Sequence, residues 1–467
     1  MKKRLISLIL MALMALSCAL AEEAGNVPLM AYYECFAVPL GENAIFEIPN
    51  EWGYQTSDAA DVPPMTSLLT DQNQMVMAMK LPADWEATDA SDALGIQSFM
   101  VEGTALMLGL TTPQSTRLQE MTINDMPAVL VSMNGQGFDI LWVGDSGDLY
   151  FFLFPNDDDA LVQQMISVAQ SLCVFHRKGE QVNPASDFAY TADGGEVTIT
   201  DYIGTSEHVL IPSEIGGFPV TALADKAFYE KHVTTVVVPD SVTEIGDLCF
   251  SGDNYLVSLT LPDELAELPY AALESCFRLM DFNLPKELKK ISGSALQYNY
   301  YLTHLTLPSS LTEIEQQNFI GLYGLQSLTL AEDNAAFKLD ETNGLLMTAD
   351  GTRLLHCFSD IVPAEEIILP EGVKIVDPFA FHYDYDVKRI VLPEGVETIG
   401  AMAFAMCPNL TEIVIPASVT DIGALDGLDG RTGIISYKRN VIVTPEGSPA
   451  WNWAVETGAT VKSPEEN

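Results

Sequence analysis

Between Val236 and Leu425 the polar and apolar positions keep a beat of 23 residues. A Pro preceded by alternating apolar residues stands at Pro239, Pro262, Pro285 and Pro308; the next step lands on Ala331, and the beat resumes at Pro370, Pro393 and Pro416. The residues one and three before the Pro are apolar, as in Leu261 and Leu259, Leu307 and Leu305, Leu392 and Ile390, or Ile415 and Ile413. Period two predicts a short strand with one face turned inward. Pro ends it, having no N–H to give to a ladder. Three and six residues after the Pro comes a second apolar pair, for example Val242 and Ile245, Leu288 and Ile291, Val396 and Ile399, or Val419 and Ile422. Eleven after it stands Phe250, Leu273, Leu296, Phe319, Phe381 or Phe404, large enough to fill the far side of a coil. One such coil cannot bury its own apolar face, so the coils must stack into a solenoid with a parallel sheet along one side.

The copies VKRIVLPEGVETIGAMAFAMCPN (Val387–Asn409) and LTEIVIPASVTDIGAL, from Leu410, carry a resemblance. Their pattern, L-x-x-I-x-L-P-x-x-V-x-x-I-G-x-x-A-F-x-x-C, is similar to the BspA-like (Treponema-type) leucine-rich repeat. The resemblance spans roughly Glu196 to Val461, with departures at Leu273 and Leu296, where Phe is usual, and at Leu330, where LAEDN replaces the LP turn. It implies a right-handed solenoid. It also implies a secreted or surface protein that binds proteins or host surfaces and does not catalyse a reaction. In such repeats an Asn or Cys near a turn satisfies backbone groups of adjacent coils. That role falls in part on the varied position fourteen after the Pro: Asp253, Cys276, Asn299, Leu322, Asp384 and Cys407. Cys276 and Cys407 then need no redox or metal chemistry.

The array is irregular at three places. Pro212 to Pro239 is a step of 27 with an extra turn at Ile215–Phe218, as befits a terminal repeat that caps the core. Ala331 to Pro370 is a step of 39, so residues 331–369 form one repeat with an insertion. Gly344–Thr348 and Arg353–Phe358, joined at Asp350-Gly351, read as a hairpin flap on the stack, either decorative or part of a binding face. After Gly423 the beat fades, and residues 434–461 read as a closing cap with a strand at Val441–Val443 and a helix around Trp451–Glu456. Trp451 and Trp453 either cover the last coil or stack on a sugar. Residues 462–467 are a polar tail.

Ahead of the repeats, Lys2, Lys3 and Arg4 precede an apolar run from Leu5 to Leu16, the pattern of a secretory signal peptide over residues 1–21. Two processing routes stay open: cleavage after Ala21, following Ala19-Leu20, or lipidation at Cys18. Residues 22–177 lack the 23-residue beat and read as a separate α+β domain. Strands are predicted at Ala44–Trp52, Gln74–Pro82, Met126–Met133, Phe138–Val143 and Leu149–Phe154, with a helix from Asp89 or Ser91 to Leu108. A last helix begins after Asn156–Asp159, with Leu161, Met165, Val168 and Leu172 at helical spacing. This order of elements resembles the PsbP-like α/β/α sandwich of small bacterial lipoproteins, which supplies no functional residues to carry over. Residues 178–195 are polar and Gly-rich and read as a linker.

Charge narrows the partners. Lys+Arg number 22 against 65 Asp+Glu, a formal charge of −43, which argues against nucleic acid and anionic lipid. A membrane enters only through a lipid on Cys18. The chain has no H-E-x-x-H, G-x-S-x-G, P-loop or C-x-x-C motif, so neither a catalytic centre, a metal site nor a cofactor is expected. Cys35 and Cys173 lie outside the repeats, as a disulfide that export permits or as two buried thiols. Cys249 and Cys357 read as reduced. The reading is therefore an exported protein that binds a protein or glycan through outward residues of successive repeat strands: Thr235, Ser258, His304, Ser327, Arg389 and Glu412. Thr306, Arg389 and Glu412 are the candidate contacts. The alternatives are an accessory or enzyme acting through the N-terminal domain with the repeats as a targeting arm, and a structural envelope component.

Overall fold

The computed structural model describes residues 182–359, 361–423 and 440–466, together with the strands and helix named below between residues 35 and 174. The chain divides into two compact units, Met1–Glu180 and Gln181–Asn467.

In the first unit, β1 (Cys35–Pro39), β2 (Ala44–Pro49) and β10 (Cys173–Val174) form an antiparallel sheet in the order β1-β2-β10. A seven-stranded antiparallel sheet runs β3 (Gly53–Ser57), β4 (Met65–Leu69), β5 (Met75–Lys80), β9 (Leu149–Pro155), β8 (Phe138–Gly144), β7 (Met126–Met133), β6 (Thr116–Ile123). Tyr150, Phe152 and Phe154 alternate along β9 and are buried, facing one side as period two requires. Helix α1 (Asp159–Gln170) buries Leu161, Met165 and Val168, and Leu172 just beyond its end is buried too. That stripe packs on β2, β8 and β9. The helix predicted to end at Leu108 and the leader with Cys18 lie outside the described residues.

In the second unit the strands before the Pro residues pair in parallel with neighbours one coil on, in three separate runs. His208–Leu210, Thr235–Val237, Ser258–Thr260 and Asp281–Phe282 form one run. His304–Leu307 pairs with Ser327–Leu330. Glu366–Ile368, Arg389–Val391, Glu412–Val414, Val441–Val443 and Thr460–Lys462 form the last run. The second apolar pair supports a further parallel ladder of two-residue strands, such as Ile375–Val376, Thr398–Ile399 and Asp421–Ile422.

The turn edge makes a third ladder. Leu248, Phe250 and Gly252 donate N–H groups to Tyr270, Ala272 and Glu274 oxygens of the next coil at 2.9, 2.9 and 2.8 Å. Each regular coil there has two left-handed residues four apart, among them Ser294 and Tyr298 (φ 59° and 62°) and Met402 and Met406 (φ 55° and 60°). A non-Gly residue in this region costs about 1–2 kcal/mol. Packing and inter-coil hydrogen bonds from both neighbours hold it there.

The position fourteen after the Pro works as the resemblance implies except at Leu322, which has no polar side-chain atom. The Asn299 side chain donates to the Leu273 and Leu296 oxygens (3.1 and 2.7 Å). The Cys276 and Cys407 thiols donate to the Phe250 and Phe381 oxygens of the preceding coil (3.1 and 2.9 Å). Asp253 and Asp384 accept turn N–H groups from Tyr255 and Val387, among others, at 3.1 and 2.9 Å. Cys249, Cys276, Cys357 and Cys407 are buried free thiols, and burial pushes the Cys249 thiol up to about 12. None of these four is expected to react with an aromatic disulfide reagent near neutral pH until the chain is unfolded, because the thiolate is the nucleophile. Labelling of any of them in the folded protein, mapped by mass spectrometry, would contradict this packing.

Two expectations need correction. The segment read as a linker is folded over residues 185–195. A 3-10 turn at Ala185–Asp187 leads into β11 (Phe188–Asp193), which pairs antiparallel with β12 (Glu196–Tyr202). Gly194 and Gly195, at φ 62° and 90°, provide a tight hairpin turn where both central residues have positive φ, and not a flexible spacer. Asn183 bonds Leu210 through its backbone N–H and its side-chain oxygen (2.9 and 2.8 Å), covering the edge of the first coil. The hairpin read as a flap is also part of the stack. Leu345–Thr348 pairs with Arg353–Cys357 as predicted, but Arg353 and Leu354 continue in parallel to Ile375 and Val376. Leu345, Met347, Leu354 and Cys357 belong to one apolar cluster that runs on to Ala454. Leu346, Leu355 and Phe358 belong to another that begins at Phe188. Every side chain of the hairpin that alternation turns inward is thus used, on one cluster or the other.

The last coil is closed by Val441–Val443, helix α2 (Pro449–Thr457) and Thr460–Lys462, with Ser448 capping the helix by accepting from Trp451 N–H (3.1 Å). Trp453 packs against the apolar cluster.

Candidate binding face

On the strands before each Pro, inward residues are spent on the core, so only the residues two and four before the Pro are available to a partner. Two before it, Thr260, Asn283, Thr306, Thr329 and Ile368 are exposed, and Val391 and Val414 are half-buried. Thr306 and Thr329 hydroxyls are 2.9 Å apart, one rung of this column. Ile368 is 58% exposed, a large apolar side chain with no role in the core.

Four before the Pro the column is polar and self-paired. The Arg389 guanidinium bridges Glu366 on one side and Glu412 on the other, the latter at 2.8 Å through Nε. Lys462 holds the second Glu412 oxygen at 2.9 Å. Hydrogen bonds from Arg389 first, then Lys462, hold the Glu412 carboxyl below the usual range, and those to Glu412 and Glu366 raise Arg389. Arg389 and Glu412 are therefore brought together in one neutral ladder. Thr306 lies in the separate two-strand run.

Thr235 and Ser258, expected to face outward to a partner, are only 4% and 2% exposed. Neighbouring side chains cover them: His208 Nδ1 lies 3.0 Å from the Thr235 hydroxyl, and Ser258 donates to Asp281 Oδ2 at 2.6 Å. His304 is exposed and Ser327 half-buried. Sequence reasoning missed Thr260, Asn283, Thr329 and Ile368. The signal was the same alternation, counted two residues before the Pro.

Cys35 and Cys173 are not placed for a disulfide. They lie on strands flanking β2, Cys35 opposite Pro49 and Cys173 opposite Ile45. Ordinary sheet spacing separates their Cα atoms by roughly 15 Å, whereas a bridge requires less than about 7 Å. Among the described residues no group of three or more His, Cys, Asp or Glu could hold a metal ion, and no helix is long and apolar enough to cross a membrane.

Residues 221–340 and 355–425 match the family model described as BspA type Leucine rich repeat region, in six copies. No curated protein matches the sequence. Solved structures similar to this chain include a leucine-rich repeat protein from Eubacterium ventriosum ATCC 27560, 22% identical over 55% of this chain and 69% of that one, with a TM-score of 0.43. A leucine rich cell surface protein from Faecalibacterium prausnitzii A2-165 is 18% identical over 62% of this chain and 96% of that one, with a TM-score of 0.41. Cyanobacterial PsbP from Synechocystis sp. PCC 6803 matches 33% of this chain and 100% of that one at 13% identity, with a TM-score of 0.25.

Proposed function

We propose that this chain, whose residues 221–340 and 355–425 are BspA-type leucine-rich repeats, is an exported bacterial binding protein that takes a protein or glycan partner along the strand face of its solenoid. The observation that carries the reading is the column two before the Pro. Thr260, Asn283, Thr306 and Thr329, followed by Ile368, Val391 and Val414, repeat once per coil, the first five exposed and the last two half-buried. A regular series of hydroxyl, amide and branched apolar groups suits an extended partner better than a small molecule. The rungs Glu366, Arg389 and Glu412 set the polar border, and their mutual pairing lets an uncharged or mixed-charge surface approach without burying an unpaired ion.

Pull-down of host and envelope material by the full-length chain, repeated with Thr306→Arg plus Ile368→Arg, tests this. Capture is expected to fall at least about tenfold while thermal stability changes by under about 0.5 kcal/mol, the usual range for exposed positions. Undiminished capture by the double variant would place binding elsewhere, and the N-terminal unit would be next. The mass of exported material separates cleavage after Ala21 from a lipid on Cys18, and recovery of the intact leader in the cytoplasm would exclude both.

A further inference from the structure

The hairpin at residues 345–357 separates the two apolar clusters of the repeat unit, and the turn edge is interrupted there. Regular coils place two left-handed residues on this edge, but none occurs between Gly351 and Gly372 among the described residues. Tyr323 instead lies against Tyr383 from the coils flanking the gap, ring centroids 5.8 Å apart at 87°. Behind them is a cavity of about 20 Å³ lined by Tyr323, His356, Ser359, His382 and Asp384 among others. The His356 ring is 9% exposed and packs at 5.6 Å on Phe319 and 4.8 Å on Phe358. His382 Nδ1 is buried without a hydrogen-bond partner.

We propose that this seam is an acid-opened joint: protonation of His356 and His382 frees the 345–357 hairpin from its neighbours while the coils on either side stay stacked.

The chemistry around the two rings supports this. Burial, then the nearby His382, lowers His356 to about 3, and burial lowers His382 to about 4. The carboxylates close by are already engaged. Asp377 is held by Arg353 at 2.6 Å, Glu315 by Lys290 at 2.8 Å, and Asp384 accepts the Asp386 and Val387 N–H groups. Cys357 Sγ lies 4.0 Å from Asp384 Oδ2, and burial raises the Tyr323 phenol, so neither supplies a negative charge. The closed joint thus favours neutral rings, whereas an opened joint returns them to water and an ordinary pKa of about 6.5. Below that pH the open form binds more protons, so opening grows as pH falls towards 4. Asp384 and Asp377 work the other way. Burial raises both carboxyls, that of Asp384 to about 6, so the closed form binds their protons more readily and is favoured by acid. Two His, each shifted further than the carboxyls, leave a net gain in opening of at least about tenfold between about pH 7 and about pH 4.5.

Hydrogen exchange of the full chain at these two pH values, corrected for intrinsic rates, reads the joint directly. The amides of Cys357 and Phe358, which bond Ala380 and Gly344 oxygens, are expected to lose at least about tenfold in protection. Those of 235–260 and 389–415 are expected to change by less than about threefold. His356→Phe, set between Phe319 and Phe358, is expected to keep the protection seen at about pH 7 and to lose most of the acid effect. His382→Gln provides the same reading should His356→Phe fail to fold. Unchanged protection at the joint, an equal loss in all coils, or a folded neutral variant as acid-sensitive as the parent would each overturn the proposal.

Discussion

Phe381→Ala is expected to lower the unfolding free energy by about 3–5 kcal/mol, the usual cost of emptying a fully buried aromatic site. The ring is 0% exposed and lies 5.3 Å from Phe404, tilted by 34°. The loss should spread, because a coil in a stack is stabilised mainly by its two neighbours. Phe381 N–H donates to Ala403 oxygen at 2.7 Å, and its oxygen accepts the Cys407 thiol, so both contacts to the next coil depend on how this rung sits. Phe381→Leu should cost much less, about 1 kcal/mol, since Leu273 and Leu296 occupy the same rung elsewhere and are themselves fully buried. Urea unfolding followed by circular dichroism distinguishes the two. A cost below about 1 kcal/mol for the Ala variant would mean that the rung can collapse, against the close packing described above.

Gly400→Ala should be the other severe substitution, although it adds a single methyl group. A Cβ at Gly400 would sit 2.2 Å from Pro378 N, and the equivalent atoms at Gly246 and Gly423 would sit 2.3 and 2.4 Å from Asp225 N and Ala401 N. These neighbours are backbone, which cannot swing aside as a side chain does. The coil must therefore shift against its predecessor, at about 1–3 kcal/mol or more. Gly395 makes the useful control. It has open space around it, and its φ of 102° makes Ala unfavourable through backbone strain alone. Thermal unfolding of Gly400→Ala should show the larger fall. If Gly395→Ala fell further, the stack would accommodate the methyl group at Gly400 more cheaply than the contact with Pro378 implies.

The pairing of sheet columns also bears on mutations at the candidate face. Removing Arg389 alone leaves Glu366 and Glu412, on the two strands that flank its own, without their shared cation, with Lys462 the remaining cation beside Glu412. A binding defect in such a variant is informative only beside Thr306 and Ile368 substitutions, which leave this ladder intact.

The amino-acid sequence by itself determined the repeat. Alternation before each Pro, an apolar pair after it and a large residue at the eleventh position state the strand, its inward face and the stacking, because a 23-residue coil with that pattern has no other way to bury its apolar side. The same logic made the α1 stripe and the 345–357 hairpin legible, and the family pattern identified the turn role of Asn299 and Cys407. Tertiary structure decided what depends on neighbours distant in sequence. Exposure of Thr235 and Ser258 is set by His208 and Asp281 on adjacent strands, and Arg389 and Glu412 are neutralised by residues one coil away. Composition made the Gly194-Gly195 segment look like a spacer, while its partner strand made it a hairpin that caps the first coil. The two faces of the 345–357 hairpin were visible as alternation, but only the stack reveals that each meets a different core, since burial is a property of the assembled neighbours and not of the segment.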